Sequence, residues 1–170
     1  LDASQNATFD GSVTIKSNEV LTLNNVDNTN GFQLYNSGAT GSANSNLIFL
    51  SGAVGERMRL DSSGNLGLGT SVIPSYWSGY TALQIGADNS IFGNAATSTG
   101  SALFISQNIY NDGNVYRYSS TNEAGIIDLR DGVFKYLNAP SGTDGLEATL
   151  TARLTIDGSG NVGIGTSTPD

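Results

Sequence analysis

Apolar and polar residues alternate in short runs along the chain: Val13-Thr14-Ile15, Leu21-Thr22-Leu23, Phe32-Gln33-Leu34-Tyr35, Leu83-Gln84-Ile85 and Leu154-Thr155-Ile156. A period of two puts every second side chain on one face of a strand. Between the runs lie clusters such as Asn24-Asn25-Val26-Asp27-Asn28-Thr29-Asn30-Gly31. Asn and Asp bond their own backbone and tolerate left-handed conformations, so these clusters predict turns. Sustained helical spacing is missing, and the weak candidate over residues 146–154 is broken by Thr residues, which disfavour helix. The pattern predicts an all-β chain of short antiparallel strands and hairpins.

A repeat is laid over this pattern. Residues 57–71 read RMRLDSSGNLGLGTS and residues 153–167 read RLTIDGSGNVGIGTS, at an offset of 96. Nine of the 15 positions are identical, and four more exchange one apolar residue for another. Each copy predicts a hairpin. Met58 and Leu60 share a face with Leu66 and Leu68; Leu154 and Ile156 do so with Val162 and Ile164. Asp61 and Asp157 are placed to cap the turns, with Asn65 and Asn161 closing them, and Gly64 and Gly160 are free to take positive φ. Gly67, Gly69, Gly163 and Gly165 leave the other face of the second strand without side chains, which predicts a close approach of another backbone about a narrow axis. The repeat divides the chain into two modules, residues 1–71 and 72–170. The second holds an insert over residues 107–151, rich in tyrosine. The stretch at the boundary, residues 71–80, has the Pro, Ser and Gly content of a linker and carries the sole Trp.

Composition narrows the chemistry. The 170 residues contain no His and no Cys. Serine-protease triads, thiolate nucleophiles, disulfides and His or Cys metal sites are therefore excluded. Leu, Ile, Val and Phe make up 24% of the chain, a little above the ~20% below which chains tend to stay disordered. A thin core is expected, supplemented by burial between subunits. A net charge of −8 makes nucleic acid a poor partner, because affinity there rests on phosphate neutralisation. No apolar run approaches the ~20 residues of a membrane-spanning helix, so membrane insertion is not expected.

The remaining motifs each have a plain reading. Gly158-Ser159-Gly160-Asn161-Val162-Gly163 matches a dinucleotide fingerprint, but a strand, not a helix, is expected to follow it. Asp157, Ser159 and Asn161 alternate like the start of a calcium loop whose later positions, Val162 and Thr168, are wrong for one. No cofactor or metal is expected. Glu123, Asp128 and Asp131, with Asp112 nearby, form the closest cluster of carboxylates that could hydrolyse a glycan, although Asp131-Gly132 is also a hairpin-turn dipeptide. Arg117 and Arg130 are expected to pair with neighbouring acids or stack on Tyr. Tyr76, Trp77, Tyr80, Tyr110, Tyr116 and Tyr118 are candidates for a sugar-stacking surface, against packing between modules or within the insert. Asn6-Ala7-Thr8 is a glycosylation sequon of the kind expected by chance in so Asn- and Thr-rich a chain.

The hairpin Arg-x-x-[Leu/Ile]-Asp-x-Ser-Gly-Asn-[Leu/Val]-Gly-[Leu/Ile]-Gly-Thr-Ser resembles a repeat of bacteriophage tail-fibre proteins, where such modules often precede a self-cleaving chaperone. The run from Pro74 to Gly86, which includes Tyr76-Trp77-Ser78-Gly79-Tyr80, and those from Ile109 to Tyr118 and from Phe134 to Thr143 fit the same family. The resemblance covers roughly residues 45–170. It implies an elongated, intertwined homotrimer in the virion tail fibre, extracellular when it acts. Its partners would be other copies of itself, other tail or baseplate proteins and host-surface glycan. It implies a structural and adhesive role rather than an enzymatic one. A bacterial surface fibre and a glycan-degrading spike are the alternatives.

Overall fold

A computed structural model describes residues 20–23, 32–36, 46–51, 55–73, 79–94, 101–113 and 115–170, the first two stretches as backbone only. Among these residues the chain is all strand and turn, with no helix. Twelve strands form one sheet in the order β1 (Val20–Leu23), β2 (Phe32–Asn36), β3 (Leu47–Ser51), β4 (Gly55–Leu60), β5 (Leu66–Leu68), β6 (Tyr80–Ile85), β7 (Asn89–Asn94), β8 (Ala102–Gln107), β11 (Asn122–Arg130), β12 (Val133–Gly142), β13 (Thr151–Ile156) and β14 (Val162–Ile164). A small second sheet pairs β9 (Ile109–Asn111) with β10 (Tyr116–Tyr118).

The runs at Leu21, Phe32, Leu83 and Leu154 fall on β1, β2, β6 and β13. The run at Val13 and the turn cluster over residues 24–31 lie outside the described residues, as do Tyr76 and Trp77. The main sheet is antiparallel with one exception. β5 and β6 run parallel, Leu66 opposite Leu83 and Leu68 opposite Ile85, so pairing continues across the expected boundary at residue 71. The expectation of short strands fails in the insert, where β11 and β12 run nine and ten residues. They do not hang off the sheet but enter it between β8 and β13. Their turn is Asp131-Gly132, both at positive φ (52° and 78°), as the type I′ dipeptide predicts.

Directly opposed residues share a face, so the register sorts side chains into two layers. The inner face carries Ala82, Phe92, Phe104, Asp128, Lys135 and Thr155 in one row and Gln84, Ser90, Ser106 and Ile126 in the next. The chain covers this face itself. β9, β10 and residues 143–150 fold back over it, and Ile109, Tyr110, Tyr118 and Ala148 join Phe92, Phe104 and Ile126 in the core. Phe92 and Phe104 stack at 4.7 Å, with Tyr80 edge-on to both. Polar groups trapped beneath the cover are paired. The Ser90 and Ser106 hydroxyls meet at 2.7 Å, Ser106 donates to the Ile109 carbonyl, and the Gln84 amide donates to the Ala87 carbonyl.

The glycine prediction needs correction. A Cβ on Gly67 would meet the Ile73 side chain at 3.1 Å, and one on Gly163 would meet Thr166 Cγ2 at 2.6 Å and Pro169 at 3.1 Å. The segment following each hairpin covers its bare face, because Gly69 and Gly165, at φ 67° and 74°, turn the chain back. The bare face is thus closed within the chain at Gly67 and Gly163, while a Cβ on Gly69 or Gly165 would meet nothing within 4 Å.

Candidate functional site

Among the described residues the outer face is the one left open. An unbroken row crosses ten strands on it: Leu47, Leu60, Leu66, Leu83, Ile91, Ile105, Ile127, Tyr136, Leu154 and Ile164, each directly opposite the next. Apolar rows flank it: Phe49, Met58, Leu68 and Ile85 on one side, Leu103, Leu129, Phe134, Ile156 and Val162 on the other. None of these positions carries a charged residue. The exposed large hydrophobic residues among those described all stand on this face except Val72 and Leu146. Ile105 is 44% exposed and Ile164 85%. Sequence reading found the alternation strand by strand, but the row emerges only once register aligns the strands.

The aromatic candidates separate. Tyr110 and Tyr118 are buried, so the packing reading applies to them. The Tyr118 hydroxyl donates to the Pro140 carbonyl at 2.7 Å, and its ring lies where a Cβ on Gly142 would sit. Tyr80 and Tyr116 are half-buried against Phe104, and burial pushes the Tyr116 phenol up to about 12. Tyr110 and Tyr118 therefore present no open ring face of the kind sugar stacking requires, whereas Tyr116 borders an open cavity.

At the edge of the cover Tyr116, Asp128, Arg130, Leu137, Glu147 and Leu150 line an open cavity of about 360 Å³. Asp128 is buried and its carboxylate is gripped by the Arg130 guanidinium, which also lies 5.4 Å from the Phe104 ring centroid. That carboxylate raises the Arg130 pKa through its hydrogen bond. Arg117 pairs likewise with Asp112. Both arginines thus take the acid partners expected for them. Asp131 is exposed in its turn and Glu123 is exposed on β11. Asp128 is therefore held by a cation, and the carboxylates do not converge into one site. Among the described residues no cluster of acids could hold a metal ion.

The hairpin-turn residues stand where the sequence puts them. Asp61 Oδ1 accepts the N–H groups of Ser63 and Asn65, and its Oδ2 accepts from the Asn65 amide at 3.0 Å. Asp157 makes the same bonds to Ser159 and Asn161. Gly64 and Gly160 lie at φ 85° and 89°. The turn before Val162 leads into strand β14, not a helix N-terminus, so no pyrophosphate cradle forms there. Sequence reading missed Asn108, which is buried at positive φ and donates to the carbonyls of Ser120, Asn122 and Glu123 while accepting from Ser120. Its signal was faint: an Asn, tolerant of left-handed backbone, between two β-patterned runs.

No protein-family model, characterised protein or solved structure matches the chain.

Proposed function

We propose that the chain is a structural segment of a homotrimeric fibre of the bacteriophage tail-fibre kind, whose copies pack their outer sheet faces together about a common axis. The observation that carries this reading is the apolar row across ten strands. Antiparallel sheets tolerate one wet face when that face is polar. Here the central row and its flanks are apolar and uncharged, and contiguous apolar patches of this kind mark association surfaces. Two copies would close it as a sandwich and three as a prism; the likeness of the hairpin repeat to tail-fibre modules favours three. The segment's work is to span distance and present host-recognising surfaces, with avidity from three copies offsetting weak glycan contacts.

The test is the absolute mass of the chain by light scattering after size exclusion. Three times 17.6 kDa, roughly 53 kDa, with early elution supports the fibre. A monomer of 17.6 kDa across micromolar concentrations removes it.

A further inference from the structure

The second hairpin carries an empty copy of a junction that the first hairpin fills. In both turns the Asp carboxylate accepts two backbone N–H groups and the Asn side-chain amide, at 3.0 Å in each. That leaves the Asn Oδ1 as the amide's free acceptor. In the first hairpin the acceptor is used. Asn65 Oδ1 takes the Ala82 N–H at 2.9 Å, and Asn65 is 5% exposed beneath β6. From there β6 runs parallel to β5, and the Gly86 N–H closes the pairing on the Leu68 carbonyl at 2.8 Å.

In the second hairpin Asn161 is exposed and its Oδ1 accepts nothing among the described residues. Among the described residues β14 ends the sheet and pairs with β13 alone. The likeness runs on past the strand. Gly69 and Gly165 bond back to the Arg57 and Arg153 carbonyls at 2.9 and 3.0 Å. The Thr70 and Thr166 hydroxyls each close a ring with the residue two places on. Every part of the first junction is rebuilt in the second except the incoming strand.

We propose that the free edge of β14 is a docking site for an extended segment that runs parallel to it and carries the β6 pattern, Tyr80-Thr81-Ala82-Leu83-Gln84-Ile85-Gly86. The N–H at its Ala82 place donates to Asn161 Oδ1, and the N–H at its Gly86 place donates to the Ile164 carbonyl. Its Leu and Ile places fall opposite Val162 and Ile164 and extend the apolar row by one strand. Main-chain bonds supply the affinity and the alternate side chains supply the choice of partner, as in other strand-addition sites. An edge left in this state is otherwise a liability. The inference concerns an edge of the sheet and does not depend on how the faces associate.

The test titrates the whole 170-residue chain into a labelled peptide of residues 79–87, Gly-Tyr-Thr-Ala-Leu-Gln-Ile-Gly-Ala, and reads anisotropy. Saturable binding is expected, lost when the peptide's order is reversed. N-methylation at the Ala82 place removes one donor without touching the protein and is expected to weaken binding about fivefold, the effect of one such hydrogen bond. Asn161→Ala should weaken it similarly. No saturation at millimolar protein overturns the proposal, and so does binding indifferent to both changes. Concentration-dependent growth that Asn161→Ala stops but the peptide does not compete would give the edge to a second copy of the chain instead, which also overturns it.

Discussion

Asn65 and Asn161 are the same residue in the same turn, and burial alone separates them. Removing Asn161's side chain exposes groups already in water. Removing Asn65's strands the Ala82 N–H beneath β6, and an unpaired buried donor costs ~1–3 kcal/mol. In urea unfolding, Asn65→Ala is therefore expected to destabilise clearly more than Asn161→Ala; equal losses would mean the β5–β6 junction does not form in solution. Asp157 reports on its own turn. The Asn161 backbone N–H above all, then its side-chain amide and the Ser159 N–H, hold its carboxyl below the usual aspartate range. A depressed folded pKa means stabilisation that is present above the unfolded value and lost as pH falls through the folded one. A carboxyl NMR titration should show Asp157 protonating after ordinary aspartates, with amide protection at residues 162–164 falling in the same window. Tyr116 has the opposite sign. Burial first, then the Asp128 and Tyr80 charges, outweigh the nearby Arg130 and raise its phenol to about 12. Folding thus favours the neutral phenol, and stability should decline as pH rises from the ordinary tyrosine value of about 10 towards 12. The difference in tyrosinate absorbance between the folded chain and Tyr116→Phe would show the Tyr116 phenol still protonated above a pH of about 10.

Elements show what the sequence made legible and what it did not. Hairpins were readable because their determinants are local: Asp61, Gly64 and Asn65 lie within one turn, and so do Asp131 and Gly132. The parallel β5–β6 pairing was not, because it depends on Asn65 reaching Ala82 across the intervening segment, which no local pattern encodes. The fate of Tyr110 and Tyr118 was undecidable for the same reason, since an alternating tyrosine looks alike on a wet strand and under a cover. Once β9 and β10 are seen to lie over the inner face, Gly142 acquires meaning. A Cβ there would sit 2.1 Å from the Tyr118 ring, whose hydroxyl is tied to the Pro140 carbonyl. Gly142→Ala should therefore cost ~1–3 kcal/mol by overpacking. Gly158→Ala, with open space around it and ordinary backbone, should change the midpoint little. Equal melting temperatures for the two variants would show that the cover is not packed on β12.

At the scale of the molecule the two faces of the sheet divide the labour. The inner face is satisfied by the chain's own insert, whereas the outer face gathers Leu, Ile and Tyr into a row that nothing among the described residues covers. A core this thin suits such a division, because part of the apolar surface is left for burial against other copies, which links stability to association. The row's centre, at Leu83 and Ile105, is where a charge would be most costly to bury, since an unpaired ammonium cannot keep its water between packed sheets. Lys placed there lies on the solvent side of a single chain, so it leaves the hairpins and inner core intact. Leu83→Lys and Ile105→Lys are therefore expected to lower the solution mass to one chain of 17.6 kDa while preserving the β-sheet circular dichroism. Val72→Lys and Leu146→Lys control for exposed apolar area as such, because those residues are 69% and 59% exposed yet stand off the row. They should leave the mass unchanged. If the off-row variants dissociate the assembly and the row variants do not, the chains meet through the loops and the outer face has some other partner. If only the row variants dissociate it, the register that aligns ten strands is also what brings the chains together.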